Sequence, residues 1–248
     1  MYENLSHQPS EKLLIIPDIH NNYTMAEKII NHENPDKVIF LGDYFDDYND
    51  TVKDAVNTSK WLINSLHQPN RVHLIGNHDL SYMTYNKDLK CSGYNEDKHE
   101  AIRDIGIPWG SLRLFCWVDD WLCTHAGMSN TFYLEQRETG TTSVQSVLDL
   151  SRYDLLNIDD ESSPHPFFQV GLSRGGAESV GGILWCHYGE FVDIPGVRQI
   201  FGHTRDRMVR HKKTRNSEHY CIDTVLDHYA VYQNHIMSII STGTLWNS

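Results

Sequence analysis

The sequence lacks any apolar run approaching the roughly 18 residues that a membrane-spanning helix needs, so no membrane partner is expected. Its first twelve residues, MYENLSHQPSEK, are polar, and we therefore expect no secretory signal. Basic residues are few: 21 Lys and Arg stand against 33 Asp and Glu, giving a net charge of −12. Because binding a nucleic-acid duplex requires many basic side chains, duplex nucleic acid is not expected as a partner.

Cysteine pairs with metal-binding or redox spacing are also missing. The five cysteines are odd in number, and no two stand in a C-x-x-C arrangement. A cysteine-bound structural zinc is therefore not expected, and free thiols in a reducing compartment fit the pattern best. We accordingly predict a cytoplasmic protein, whose oligomeric state the sequence leaves open.

Five short apolar runs are each followed by a polar cluster. The runs are rich in Leu, Ile, Val and Phe, which is typical of strands buried on both faces. With their clusters they read LLIIPDIH, VIFLGDY, VHLIGNHD, WLCTHAG and VRQIFGHT. Helical segments separate the first three runs, so the first part of the chain predicts a βαβαβ arrangement with a parallel sheet.

From about residue 111 the pattern changes. LRLFCWVDDWLCTHAG predicts a hairpin turning at Asp119-Asp120, and HYCIDTVLDHYAVYQNHIMSIIST predicts two or three terminal strands, so we expect a more antiparallel second half. TTSVQSVLDLSRYDLLN predicts a helix, whereas DDESSPHPFFQVGLSRGGAESVGG predicts a loop. We expect a single domain over residues 1–248, with a cap or lid insertion around 128–182; a disordered surface insertion is the alternative.

The polar clusters contain side chains that bind metals. In open α/β sheets, ligands lie beyond the carboxyl ends of the strands, where this fold would bring the clusters together. The residues concerned are Asp18, His20, Asp43, Asn77, His78, His125 and His203, with Asp46 and Asp79 beside them. One such residue alone is usually a turn or capping residue. Five clusters in the same strand-end context indicate a metal site, and its nitrogen and oxygen donors suit Mn, Fe, Zn or Ni.

Five motifs stand in order between residues 18 and 204. They are Asp18-x-His20, Gly42-Asp43-x-x-Asp46, Gly76-Asn77-His78-Asp79, His125-Ala126-Gly127 and Gly202-His203-Thr204. This set resembles the motifs of the calcineurin-like metallophosphoesterases. THAGM, GHT and the terminal CIDT…YAVY are more similar to the phosphoprotein phosphatase branch, which includes bacterial bis-nucleoside tetraphosphate hydrolases. The resemblance implies a four-layer α/β/β/α sandwich with two mixed β-sheets.

The resemblance also implies a site for two divalent transition-metal ions, with Mn expected first and Fe, Zn or Ni as alternatives. Asp18 and His20 would bind the first ion, Asp43 would bridge both, and Asn77, His125 and His203 would bind the second. A hydroxide bridging the ions would attack phosphorus in line. His78 would protonate the leaving oxygen as the general acid.

A carboxylate should orient the imidazolium of His78. In the family this partner is the second Asp of G-D-x-x-D, here Asp46. The sequence alone would equally allow Asp79, which we retain as a candidate supporting residue. Asp50, the last acidic residue of GDYFDDYND, is expected to face solvent or to lie in the N-cap region of the next helix.

The chain departs from the phosphatase pattern where phosphate would be bound. The family follows G-D-x-x-D with Arg-Gly, and this chain has Asp47 and Tyr48 there. His187, in GGILWCHYGEF, stands near the place of a second family arginine. Because phosphate is usually bound by bidentate arginine, Arg174 and Arg205 are candidate substrate-binding residues, with ordinary surface arginines as the alternative.

These observations predict a metal-dependent phosphoester hydrolase with a phosphorylated substrate, either a phosphoprotein or a nucleotide. A Ser/Thr protein phosphatase-like phosphomonoesterase is expected first, and a nucleotide polyphosphate hydrolase of the diadenosine tetraphosphate type is the alternative. A nuclease is not expected, because the chain lacks a second histidine after Gly202-His203 and shows no basic stripe. A non-catalytic scaffold of the same fold is the remaining alternative, although a scaffold has no reason to retain His78 with every ligand.

Overall fold

The computed structural model describes residues 5, 7–137, 143–160, 162 and 165–243. Within these ranges the chain forms ten strands and six α-helices. The strands are β1 (Leu13–Ile16), β2 (Lys37–Phe40), β3 (Arg71–His73), β4 (Phe115–Val118), β5 (Trp121–Thr124), β6 (Arg198–Phe201), β7 (Arg210–Lys213), β8 (Glu218–Cys221), β9 (His228–Gln233) and β10 (Ile236–Ser241). The helices are α1 (Tyr23–Glu33), α2 (Val52–Leu66), α3 (Asn77–Met83), α4 (Glu96–Ile105), α5 (Asn130–Arg137) and α6 (Val144–Leu156).

The first two helices begin and end where local chemistry favours it. Helix α1 ends at Glu33, and its C-cap residue Asn34 adopts a left-handed conformation (φ 44°) just before Pro35. Helix α2 begins with a capping box, in which the Thr51 side chain accepts from the Asp54 backbone N–H and the Asp54 side chain accepts from that of Thr51. Both helices separate parallel strands, which confirms the predicted βαβαβ arrangement.

Two five-stranded mixed sheets form the framework. The first has the strand order β10-β9-β1-β2-β3, with β1, β2 and β3 parallel and β9 antiparallel to β1. The second has the order β4-β5-β6-β8-β7, with β5, β6 and β8 parallel and an antiparallel strand at each edge. The hairpin predicted at Asp119-Asp120 is confirmed by the pairing of β4 with β5.

The second half is less antiparallel than the sequence predicts. Strand β6 is parallel to both β5 and β8, because the long segment between β5 and β6 can cross over, and β7 occupies the connection between β6 and β8. The three terminal strands are also divided: β8 belongs to the second sheet, whereas β9 and β10 extend the first.

Alternating side chains of the strands build two apolar layers around each sheet. Leu13 and Ile15 of β1 pack between the sheets with Cys123 of β5, whereas Leu14 and Ile16 face the helices. Helices α1 and α2 cover the outer face of the first sheet, and α5 and α6 cover the second, through fully buried residues such as Ala26, Leu62, Phe132 and Leu148. This arrangement confirms the four-layer sandwich.

The region around 128–182, predicted as a cap or lid, is helical at its start and irregular at its end. Helix α6 confirms the helix predicted there, and one-turn 3-10 helices follow at Pro166–Phe168 and Leu172–Arg174. Residues 138–142, 161, 163 and 164 of this region lie outside the described residues. The role of the region as a lid stays a prediction. No helix in the described ranges is long and apolar enough to cross a membrane.

Candidate metal centre

The carboxyl ends of five strands meet at one edge of the sandwich. Strands β1, β2 and β3 contribute Asp18, Asp43 and Asn77, and strands β5 and β6 contribute His125 and His203, all of them buried. A cavity of about 790 Å³ opens there and is lined by a mixed set of side chains that includes His20, Asp43, Asn77, His78 and His203. The structure therefore brings together polar clusters that lie far apart in the sequence.

Two motif glycines let the strands approach this closely. A Cβ atom added at Gly76 would lie 2.0 Å from Asp43 Oδ1, and one added at Gly202 would lie 2.0 Å from Asp18 Oδ1. Any other residue would push a carboxylate out of the cluster. The glycines of G-N-H-D and G-H-T are therefore required because only glycine leaves room for the neighbouring carboxylates.

Four residues of the cluster adopt a left-handed backbone conformation that non-glycine residues rarely take. Their φ angles are 42° for His20, 51° for Asp43, 65° for Asp46 and 67° for His203. Such strain persists only where the surrounding structure imposes it, and it concentrates at functional sites. Here all four residues lie in the loops that follow β1, β2 and β6, and their side chains belong to the cluster.

The first set of donor atoms comes from Asp18, His20 and Asp43. His20 Nε2 lies 3.9 Å from Asp18 Oδ2 and 3.8 Å from Asp43 Oδ2. The other ring nitrogen, Nδ1, lies 2.9 Å from the backbone carbonyls of both Phe45 and Asp46. Because carbonyl oxygens accept hydrogen bonds, Nδ1 carries the proton and the lone pair of Nε2 faces the carboxylates, as a metal ligand requires.

The second set comes from Asp43, Asn77, His125 and His203. His125 Nε2 lies 3.4 Å from Asp43 Oδ2 and 3.0 Å from Asn77 Oδ1, and His203 Nδ1 lies 2.9 Å from Asn77 Oδ1. His125 Nδ1 donates to the Leu41 carbonyl at 2.9 Å, which leaves Nε2 free to bind. Donors that share one small divalent cation, each about 2.1 Å from it, are separated by roughly 3.0 to 3.5 Å, so these spacings fit a shared ion.

The charges of the cluster also fit a cation. Burial and the repulsion from Asp223 raise the pKa of Asp18 well above its usual range. Burial alone would lower the pKa of His125, but the charge of Asp43 raises it to about 9. Without another positive charge, the cluster therefore retains protons, both on the Asp18 carboxyl group and on the His125 imidazole. Divalent ions would supply that charge, so the residues present fit a metal centre.

Asp223 is a member of this cluster that the sequence analysis missed. It follows strand β8, which ends at the same edge as its parallel neighbour β6, and its side chain is buried and lines the cavity. The signal was present in the sequence, because the run HYCID is another short apolar strand that ends in an acid.

His78 is held by Asp46 rather than by Asp79. The His78 Nδ1 atom lies 2.9 Å from Asp46 Oδ2. Burial alone would lower the pKa of His78, but the charge of Asp43 and the hydrogen bond with Asp46 raise it well above its usual range. Asp79 instead accepts from the backbone N–H groups of Asp43, Tyr44 and Gly76, each at 2.8 Å, and so fixes the loops that carry Asp43 and Asn77.

A buried lysine behind Asp46 was also missed. Lys98 of α4 is 4 % exposed, and its Nζ lies 2.6 Å from Asp46 Oδ1 and 3.0 Å from Asp50 Oδ1. Tyr82 donates its hydroxyl to Asp46 at 2.5 Å. The prediction that Asp50 faces solvent is therefore wrong, because its carboxylate is buried against Lys98 and accepts from Asn21 at 2.9 Å. The alternative prediction, that Asp50 lies in the N-cap region of the next helix, is confirmed, because Asp50 directly precedes Thr51, the N-cap of α2.

The three candidate substrate residues, Arg174, Arg205 and His187, all line the cavity. Arg174 donates through Nη2 to the His203 carbonyl at 3.1 Å, so it stands directly behind the cluster. The guanidinium of Arg205 lies over the ring of Tyr48, 5.8 Å from its centroid. The Nδ1 of His187 accepts from the Gly189 backbone N–H at 3.0 Å, which holds its ring in the turn.

Comparisons with known proteins agree with this geometry. The family model for the calcineurin-like phosphoesterase matches residues 11–204, which include all five motifs. The chain resembles the cold-active protein-tyrosine phosphatase of a psychrophilic Shewanella species, with a TM-score of 0.58, 15 % identity, and coverage of 93 % of this chain and 77 % of that one. It also resembles a protein serine/threonine phosphatase from Saccharomyces cerevisiae, with a TM-score of 0.53, 13 % identity, and coverage of 94 % and 81 % respectively.

At such low identity the structural likeness shows the fold alone, and no curated protein matches the chain. The family match rests on a different comparison and covers more than three quarters of the chain, including the five motifs between Asp18 and Thr204. The chain therefore belongs to the calcineurin-like phosphoesterase family and is a phosphoester hydrolase.

Proposed function

We propose that this hydrolase is a Ser/Thr protein phosphatase-like phosphomonoesterase that uses two divalent metal ions. One observation carries the proposal: Asp43 Oδ2 lies 3.8 Å from His20 Nε2 and 3.4 Å from His125 Nε2, so a single carboxylate oxygen faces both donor sets. Asp18 and His20 would hold one ion with Asp43, and Asn77, His125 and His203 would hold the other. Manganese is proposed first, with Fe, Zn or Ni as alternatives.

Ions bound in this way would polarise a phosphoryl oxygen and lower the pKa of bound water. The chain itself would provide the acid. Because His78 Nδ1 is hydrogen-bonded to Asp46, the Nε2–H group of His78 is the one available to protonate the leaving oxygen. His78 lines the cavity beside Asn77, and this supports the proposal that its proton would lie close to the ions.

The substrate phosphate would be bound by arginine, although the arginine usual in the family is absent. Within the described residues the side-chain hydrogen bonds of Arg174 use only its Nη2 atom, so its other guanidinium N–H groups are available to phosphate oxygens. Arg205 and His187 are proposed as further contacts at the wall of the cavity. Val170 and Gly175 also line it, which supports the proposal that the region around 128–182 acts as a lid.

A nucleotide polyphosphate hydrolase is the second candidate, and one observation favours it. Tyr48, which stands in the place of a family residue beside the metal motif, is 83 % exposed and lines the cavity. Its ring, with Arg205 over one face, would offer a stacking surface for a base.

A rate comparison separates these functions. The purified protein, loaded with Mn²⁺, is assayed with p-nitrophenyl phosphate, a phosphoserine peptide and diadenosine tetraphosphate, and its metal content is measured. We expect near two ions per chain and faster turnover of the peptide than of the dinucleotide. Preferential hydrolysis of the dinucleotide would support the second candidate. Failure to bind metal and to hydrolyse any of the three would instead indicate a scaffold.

A phosphorylated substrate is the proposed partner. The cytoplasmic location is proposed because all five cysteines are free thiols, four of them buried.

A further inference from the structure

The segment from 205 to 216 concentrates positive charge in an otherwise acidic chain. It contains six Lys and Arg against one Asp, whereas the rest of the chain has 15 basic and 32 acidic residues. The six basic residues, named here the basic ribbon, are Arg205, Arg207, Arg210, Lys212, Lys213 and Arg215. The expectation that the chain has no basic stripe is therefore wrong, because the net charge of the whole chain conceals a local reversal of sign.

The basic ribbon begins at the candidate metal centre. Arg205 lines the cavity and follows His203 and Thr204 directly. Strand β7 then runs antiparallel to β8, with Arg210 opposite Cys221 at the cavity end and Lys213 opposite Glu218 at the far end. At about 3.3 Å per residue, the strand carries the charge roughly 10 Å away from the cavity.

Part of this charge is not neutralised by the protein. Lys212 pairs with Asp193 at 2.6 Å, and Lys213 pairs with Glu218 at 3.1 Å. Arg207 and Arg215 are exposed, and neither has an ion-pair partner among the described residues. An anion placed along the ribbon would therefore gain new ion pairs.

Strand β7 also has an open backbone edge. It is the last strand of the second sheet, and in the described part of the chain it pairs only with β8. An extended peptide can add to such an edge through backbone hydrogen bonds, and alternate side chains then set specificity. A nucleic acid strand has no backbone groups that continue a β-ladder, so the edge favours a peptide over a nucleic acid.

We propose that the basic ribbon binds acidic residues flanking the phosphorylated residue of an extended phosphopeptide. The substrate class would then be an acidic phosphoprotein segment, with its phosphate in the cavity and its flank along β7. This inference rests on the proposed phosphomonoesterase function, and it adds a preference that the metal centre itself does not supply.

The test uses the full-length Mn²⁺-loaded protein and three phosphoserine peptides that differ only in their flanks, which are acidic, alanine-rich or basic. We expect kcat/KM for the acidic peptide to exceed that for the alanine-rich peptide about tenfold, mainly through a lower KM. Salt should reduce this preference, because exposed charges are screened. N-methylation of the flank backbone should weaken binding, since it removes the amide donors of a β-ladder.

Charge-reversal variants test whether the preference for the acidic peptide depends on the basic ribbon. Arg207→Glu with Arg215→Glu should abolish the preference for the acidic peptide while leaving p-nitrophenyl phosphate turnover unchanged. Lys60→Glu, which reverses an exposed charge on α2, is the matched control and should keep the preference. Circular dichroism checks that all variants are folded.

The outcomes distinguish failure of the ribbon proposal from failure of the proposed phosphatase function. Turnover of p-nitrophenyl phosphate without any flank preference would overturn the ribbon proposal alone, and absence of all phosphatase turnover would overturn the proposed function. A single-stranded oligonucleotide that competes more strongly than the acidic peptide would also overturn the proposal, because it would assign the ribbon to nucleic acid.

Discussion

Replacing Lys98 by methionine should impair both folding and catalysis, because its ammonium group is buried between two carboxylates. Its Nζ lies 2.6 Å from Asp46 Oδ1 and 3.0 Å from Asp50 Oδ1, and the two carboxylate side chains are only 2 % and 8 % exposed. Removing one partner of a buried ion pair leaves uncompensated charge and typically costs about 3 to 5 kcal/mol. We expect Lys98→Met to lower the free energy of unfolding in urea by an amount in this range.

The same substitution should act on turnover through His78. Without Lys98 the Asp46 carboxylate loses one of the groups that orient it toward His78 Nδ1. Loss of such a supporting contact typically costs about 10- to 100-fold in activity. We expect this loss in kcat for p-nitrophenyl phosphate, with KM almost unchanged, since Lys98 is not placed to contact substrate.

Two control variants separate the effect of the stranded charge from that of a general lysine replacement. Adding Asp50→Asn to Lys98→Met removes the second stranded charge, so it should recover part of the lost stability while kcat stays low. Lys60→Met, at an exposed position on α2, should change neither quantity. If Lys98→Met unfolds with the wild-type free energy and turns over at the wild-type rate, the ion pair has neither of the proposed roles.

Three further predictions concern separate parts of the molecule. His78→Asn should keep its metal content by elemental analysis but lose roughly two to four powers of ten in kcat, because asparagine cannot donate the proton; wild-type turnover would exclude His78 as the acid. Asp43→Asn should lose metal and activity together, and a fully metallated, active variant would contradict the bridging role. Burial, with the nearby Arg71 charge, lowers the pKa of His73 from 6.5 to about 3. The unfolded state therefore binds the extra proton below pH 6.5, and stability should fall by about 2 kcal/mol between pH 7 and pH 5; urea unfolding of His73→Gln should show a smaller decrease, and an equal decrease would refute the assignment.

The first sheet and its helices were predictable because their signals are local. Strand β1 is buried throughout and β2 is buried from Val38 to Phe40, and each belongs to an apolar run that is followed by Pro17 or by the motif glycine Gly42. Strand β3 is only partly buried, and its signal is the buried apolar pair Leu74-Ile75 that follows it before Gly76. Strand partners are a different matter. Nothing in HYCIDTVLDHYAVYQNHIMSIIST indicates that β8 joins the second sheet while β9 pairs with β1, because pairing depends on contacts distant in sequence.

The residues of the candidate site were predictable to the extent that they follow strands. Asp223 obeys the same rule and could have been found by applying it to β8. Lys98 could not be found in that way, because it comes from a helix and its partners precede it by about fifty residues. The sequence gives one indication of it. Lys98, Ile102 and Ile105 share one face of helix α4, so the lysine occupies a position where an apolar residue is expected.

The distribution of charge explains how so acidic a chain could bind a phosphorylated substrate. Asp18, Asp43 and Asp223 place three carboxylates beside the cavity, and these would repel a phosphate. Two bound divalent ions would carry four positive charges, which would outweigh the three negative charges of these carboxylates. Beyond the cavity the sign is reversed by the protein itself, in the basic ribbon that begins at Arg205. Metal binding and the ribbon would thus act on different parts of one anionic substrate: the ions on its phosphate, and the ribbon on its acidic flank.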